Sequence, residues 1–408
     1  MLLSSKPRAC SVARTSPATA INVRAPLRRG ARCVTRAVQE VVIPPSSVTA
    51  ANELQSLSRL STVVPDTLAL ETLTPGARLA AATVSAATVR SVLLGESLGL
   101  KPYENAINAA LAAPRSASLP PGLRGSPLAA ASDPVDRAFA NLGAMMCDVV
   151  WGRVETQVDP RLAEDEAAVA SKVRALASLY GGLRVPLERL VFGLPATWAA
   201  TQAAGRLEAE GIATDLYMVY SMVQGVAAMQ AGASVIRLDV GRIRDWYDKN
   251  PGAIRNPHGP REDAGVPSSH DPALALVRDL YCYGRRFHPK TKIMAMGLRS
   301  RKDALDLAGL DYLVLSPRVL EQLSLEPTDQ GYNDGLSAVS GGAGVQPALT
   351  PQLVAESDMQ RWEPLTESSW RGGLGAAASQ LLAASLAARR SDMTELEELL
   401  ARKTQGSE

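Results

Sequence analysis

Histidine is scarce in this 408-residue chain: His258, His270 and His288 are its only three, and two of them fall in a Pro/Gly-rich stretch. With two of the three in that stretch, neither a zinc cluster nor a Ser/His/Asp triad is supported, so no metal site and no histidine acid–base chemistry is expected. Of the four cysteines, Cys10 and Cys33 lie near the start, while Cys147 and Cys282 are far apart with no CxxC spacing. The latter two read as buried thiols. No run of about 18 apolar residues occurs, so no membrane-spanning helix is expected. The GGAG run at 341–344 lacks the strand-to-helix setting of a nucleotide loop, so no cofactor is expected.

Acidic residues are missing from the first 39 positions, which carry Lys6, Arg8, Arg14, Arg24, Arg28, Arg29, Arg32 and Arg36. That Ser-, Ala- and Arg-rich segment lacks the apolar centre of a secretory signal and reads as an organelle transit peptide over 1–37, for a plastid in preference to a mitochondrion. The rest of the chain holds 35 basic residues against 41 acidic ones. This balance gives no reason to expect nucleic acid as a partner.

What is abundant is alternation. With 46% hydrophobic and 21% charged residues, the chain has the composition of a globular protein with a large core. Short β-branched runs (61–66, 79–85, 152–159, 189–195, 213–221, 234–241, 291–297 and 311–317) are separated by longer amphipathic stretches, the pattern of repeated βα units. Eight such runs predict a closed α/β barrel. Helices are predicted at Asp165–Leu179, Ala199–Glu210, Met222–Ala231 and Arg301–Ala308 from three- and four-residue apolar spacing. Pro-, Gly- and Ser-rich segments at 114–134, 249–272 and 326–351 read as loop insertions. The end, SDMTELEELLARKTQ, predicts a helix that covers the barrel.

The motifs VETQVDPRLAED, LPATWAATQAAGRLEAEGI, YSMVQGVAAMQAGASVI, VGRIRDW and LRSRKDALDLAGLDYLVLSP, in this order, resemble the transaldolase family, most closely its plant plastid branch. The resemblance implies a single (β/α)8 TIM barrel over 50–323, a Gly/Pro-rich insertion at 324–353 and a C-terminal helical segment at 354–408. It also implies transfer of a dihydroxyacetone unit between sugar phosphates through a lysine Schiff base. The family's lysine position falls on Gly193 of LVFGLPATW, and its acid/base glutamate on Gln157 of ETQVDPRL. Neither residue can do the chemistry, since glycine has no amine and a glutamine amide does not titrate near neutral pH. The first-strand aspartate is retained as Asp66. Arg90 is assigned the place of the second-strand asparagine.

The remaining site wall is also changed. The resemblance assigns Asp215 to a family asparagine position, Arg237 to a small polar one and Asp239 to an aromatic one. Asp215 and Asp239 are expected to pair with Arg237 and Arg242. Arg242 and Arg299 fall on the family's substrate-phosphate arginines, just past strand ends where barrel sites gather. Trp198 and Trp246 are expected to be packing aromatics. No other lysine is well placed to substitute; Lys302 is nearest to the mouth but opens a helix.

These readings imply a sugar-phosphate-binding or regulatory homologue without Schiff-base chemistry, with a phosphorylated sugar as ligand and a second copy or another protein as partner. Two alternatives stand beside it: an active transaldolase using an unrecognised lysine, and a non-covalent sugar-phosphate enzyme using Asp66, Asp215, Asp239 and Arg237.

Overall fold

A computed structural model describes residues 52–66, 79–94, 101–112, 133–251, 271–328 and 345–405. All of them belong to one compact unit, Thr49–Glu408. The transit peptide, His258 and His270, and the 341–344 run lie outside the described residues.

Eight parallel strands are present among the described residues: β1 (Thr62–Pro65), β2 (Leu79–Val84), β3 (Val150–Gln157), β4 (Leu190–Pro195), β5 (Thr214–Val219), β6 (Val235–Asp239), β7 (Lys292–Leu298) and β8 (Tyr312–Leu315). Each coincides with a predicted run. Their order is β1-β8-β7-β6-β5-β4-β3-β2, and β1 and β2 lie against each other, so the sheet curls into a nearly closed (β/α)8 barrel.

The sequence punctuates this rhythm with capping residues. Ser85, Thr197, Ser221, Asp239, Ser300 and Ser316 each follow or end a strand, and each side chain accepts a backbone N–H from the first turn of the next helix. These helices are α2 (Ala86–Leu94), α6 (Trp198–Ala209), α7 (Met222–Gln230), α8 (Val240–Lys249), α10 (Arg301–Leu305) and α11 (Pro317–Leu325). Also present are α1 (Glu53–Leu60), α3 (Lys101–Ala112), α4 (Pro134–Val149), α5 (Glu166–Gly182) and α9 (Pro272–Phe287). The core between helices and sheet is apolar and fully buried, with Tyr180, Tyr283, Phe139 and Phe192 its largest side chains. Cys147 and Cys282 are buried free thiols.

Strand β5 departs from regularity. Met218 has φ of 64°, and the register of β5 against β6 shifts between Leu216 and Val219. Such a bulge re-aims the residues after it, and Gln224 secures it by donating to the Ala196 and Met218 carbonyls at 2.9 and 3.1 Å.

The C-terminal segment forms α12 (Pro351–Glu356), α13 (Glu367–Gly373) and α14 (Gly375–Gln405). Helix α14 begins far upstream of the predicted SDMTELEELLARKTQ helix. It runs across the C-terminal ends of the strands. Trp246 beyond β6 donates to Gln380 at 2.9 Å, and the Tyr220 and Ser385 hydroxyls meet at 2.8 Å beyond β5. On the far side Arg90 beyond β2 pairs with Asp392 at 3.5 Å, and Arg161 beyond β3 donates to Glu397 at 2.8 Å. Strands β6 and β2 lie on opposite sides of the ring, so the helix spans the barrel mouth.

Candidate functional site

The residues expected at the reaction centre do converge. Cα register places Gln157 beside Gly193 and Gly193 beside Asp215, so the three sit at one level on adjacent strands β3, β4 and β5. Arg237 reaches from β6 across to Glu155 of β3, a short contact, and to Asp215 at 2.6 Å. All these side chains therefore point into the barrel. Thr83 of β2 donates to the other oxygen of Glu155 at 2.8 Å, and the Arg237 guanidinium lies 5.5 Å from the Tyr217 ring centroid.

Glu155 was missed in the motif reading. It occupies the room where a side chain at 193 would begin: a Cβ added to Gly193 would collide with Glu155 Oε1 and lie 3.0 Å from Gln157 Cγ. The signal was available, because residues two apart in a strand share a face, and Glu155 stands two before Gln157. Gly193 thus marks close approach by a neighbouring side chain.

Burial governs the electrostatics. Glu155, Asp215 and Arg237 are all buried. Loss of solvent pushes the Asp215 carboxyl up from 3.8 to about 7; the Arg237 charge opposes the rise, and Glu155 adds to it. For Arg237 burial acts against the charge, but Asp215 and Glu155 outweigh it and its pKa is raised. Asp215 Oδ1 and Arg237 Nε make no hydrogen bond, so the triad is not fully satisfied. A buried cluster of this kind fixes geometry more than it stabilises.

The raised Asp215 pKa gives a signed expectation. Folded protein holds this proton at pH values where the unfolded chain has released it. The associated stability is fully present below about pH 4 and is lost as pH rises through about 7. Asp215→Asn removes that dependence while leaving the other buried acids in place. The thermal midpoint of wild type relative to Asp215→Asn should therefore fall between pH 5 and pH 8; a constant difference would contradict the assignment.

Two expected residues lie outside the buried cluster. Asp66 is exposed at the end of β1, where its backbone N–H donates to Leu315 O at 2.8 Å. Arg90 does not fill the second-strand position; it lies on α2 and turns outward to Asp392 and Glu395 of α14, while Thr83 faces the interior. The reason is register: Arg90 follows the strand by a full helical turn.

The mouth holds the arginines. Arg242 Nε lies 3.4 Å from Asp239 Oδ2, and its Nη1 donates to Ser385 at 2.9 Å. Arg299 binds Asp245 at 2.6 Å and the Gly241 carbonyl at 3.2 Å. Both arginine side chains stay about half exposed, at 43% and 53%. Burial pushes the Asp239 carboxyl up, against the pull of Arg242, Arg299 and Arg389. Trp198 packs on Trp370 at 6.2 Å between ring centroids, and Trp246 on Tyr247 at 5.0 Å, so both are packing residues that tie in the C-terminal segment.

Described lysines point elsewhere. Lys172 binds Asp136 at 2.7 Å between α4 and α5, Lys292 binds Asp311 at 3.1 Å at the start of β7, and Lys302 binds Asp306 at 2.6 Å on the outer surface. Among the described residues no group of three His, Cys, Asp or Glu is placed to hold a metal ion.

Comparison with known proteins agrees with this geometry. A protein named Transaldolase from Thermosynechococcus vestitus is 32% identical over 275 residues, which is 67% of this chain and 65% of that relative. The chain thus spans just under two thirds of the relative's length. A chain from Silicibacter pomeroyi DSS-3, named as a glycerophosphoryl diester phosphodiesterase, is 19% identical with a TM-score of 0.27 over 47% of this chain and 57% of its own, a likeness too slight to bear on fold or function. Residues 63–400 match the Transaldolase/Fructose-6-phosphate aldolase family, which takes in every strand but the first residue of β1. The chain belongs to that family.

Proposed function

We propose that this chain is a plastid transaldolase homologue that has lost Schiff-base chemistry and binds a phosphorylated sugar at the mouth of its barrel. Family membership supports a place in sugar-phosphate metabolism. The observation that carries the loss is at β4: position 193 has no amine, and the Glu155 carboxylate, held by Arg237 and Thr83, fills the space such a side chain would need. A covalent imine there has neither a nucleophile nor room. Gln157, beside it, has no titrating group to move a proton.

Ligand binding rests on Arg242 and Arg299, which keep exposed guanidinium groups beyond β6 and β7, where barrel sites gather. A planar guanidinium matches phosphate bidentately. Asp239 partners Arg242 and Asp245 partners Arg299, and a phosphate would compete for the same donors. The acid-free, Arg-rich first 37 residues support plastid import. Without catalysis the bound sugar phosphate serves as a signal, read by a second copy or another protein.

Two readouts test this. Borohydride reduction with fructose 6-phosphate should leave the protein mass unchanged; a mass increase on any lysine, of a reduced dihydroxyacetone unit after release of the aldose phosphate or of the whole reduced sugar phosphate, would overturn the reading. Calorimetry should detect fructose 6-phosphate binding, weakened about tenfold or more by Arg242→Ala, as expected for loss of one charge-assisted contact.

A further inference from the structure

Helix α14 carries one arginine in a place where its neighbours are apolar. Its inward face is the buried row Leu382, Ser385, Leu386, Met393, Leu396 and Leu400, spaced by three and four residues. Arg389 stands four residues after Ser385 and four before Met393, in register with that row. Ser385 meets Tyr220 and Arg242 on the β5 and β6 side, and Met393 lies with Gln157 and Asp159 on the β3 side. Arg389 is therefore carried over the middle of the mouth.

Among the described residues, three other arginines at the barrel are engaged by two acids each. Arg237 is clamped by Glu155 and Asp215, Arg90 by Asp392 and Glu395, and Arg161 by Asp159 and Glu397. Arg389 makes a single ion pair, at 3.2 Å to Asp392 within its own helix, and keeps 35% of its side chain exposed. An i,i+3 pair of that exposure contributes little and yields readily to a better anion. Its charge also reaches Tyr217 and Asp239 below it.

We propose that Arg389 makes the mouth a two-point anion site, selective for a sugar phosphate that carries a second acidic group. The phosphate sits at Arg242 and Arg299 on the rim, and the second acid, a carboxylate or another phosphate, sits under Arg389 at the centre. This rests on the phosphate-binding reading of Arg242 and Arg299 given above. The chemistry is consistent with the interior: among the described residues a ligand's far end meets no lysine to capture a carbonyl and no unclamped interior cation, so a charge there is met from the helix above. Recognition at two separated points places a monophosphate at a disadvantage because Arg389 is then left with only its weak intrahelical partner.

The test is calorimetry on the full chain with three probes: fructose 6-phosphate, fructose 1,6-bisphosphate and 6-phosphogluconate. Wild type should bind at least one of the two doubly acidic probes about tenfold more tightly than fructose 6-phosphate. Arg389→Gln should erase that preference and leave fructose 6-phosphate binding within about twofold, with Arg389→Lys retaining part of the preference. An unchanged thermal midpoint in Arg389→Gln shows that the helix still docks. Equal binding of all three probes by wild type, or a preference that survives Arg389→Gln, overturns the two-point site while the phosphate reading stands. Failure of every probe to bind overturns both.

Discussion

Arg237→Met should lower folding stability by about 3–5 kcal/mol, the range for removing one partner of a buried ion cluster. The variant keeps the aliphatic bulk of the side chain but leaves Glu155 and Asp215 facing each other with no cation between them. Both carboxylates are buried, and Thr83 offers a hydrogen bond to only one of them. Equilibrium urea denaturation read by circular dichroism measures the loss. Changing all three residues, Glu155→Gln, Asp215→Asn and Arg237→Met, should recover more than half of it, since the penalty is uncompensated charge and not lost packing. A single variant as stable as wild type would mean that both acids are protonated in the native state, or that the barrel admits water to them.

Gly193→Ala should cost about 1–3 kcal/mol, the usual range for forcing extra volume into a packed interior. Gly193→Lys should cost more, and neither it nor its combination with Gln157→Glu should produce dihydroxyacetone transfer. The added Cβ meets Glu155 Oε1 at once, and that oxygen cannot swing away without breaking from Arg237. A double-mutant cycle separates this clash from general strain: in a Glu155→Ser background Gly193→Ala should be close to neutral. Equal costs in both backgrounds would place the obstruction elsewhere, with Gln157 Cγ at 3.0 Å the next candidate.

Sequence reasoning reached the barrel because its signal is local: eight β-branched runs, most of them followed by a capping Ser, Thr or Asp, are each legible without knowledge of the others. Position 193 is legible as a glycine in a strand of large apolar residues, which signals close approach. The inward face of Glu155 is legible from its spacing to Gln157, but its pairing is not, because the Arg237 side chain crosses from three strands away and no spacing rule links positions 155 and 237. Asp66 and Arg90 show the converse. Asp66 matches the family's residue type yet lies exposed, and Arg90, an arginine set at an asparagine's place, lies on a helix and not on the strand. The first half of α14, GAAASQLLAASLAARR, falls inside the helical segment 354–408 implied by the resemblance but outside the helix read from periodicity, for a composition reason: small residues surround its apolar positions and blur the stripe that SDMTELEELL shows clearly.

The Glu155 and Arg237 clamp also bears on reversibility. A lineage that had merely lost its lysine could regain it by change at one codon. In this chain the space beside Gly193 is filled by an acid, the acid is held by a cation, and the cation also holds a second acid on β5. A side chain placed at 193 meets a collision of about 1–3 kcal/mol, and removing Arg237 alone strands interior acids at about 3–5 kcal/mol. Seating a residue at 193 therefore takes coordinated change on three strands and not one substitution.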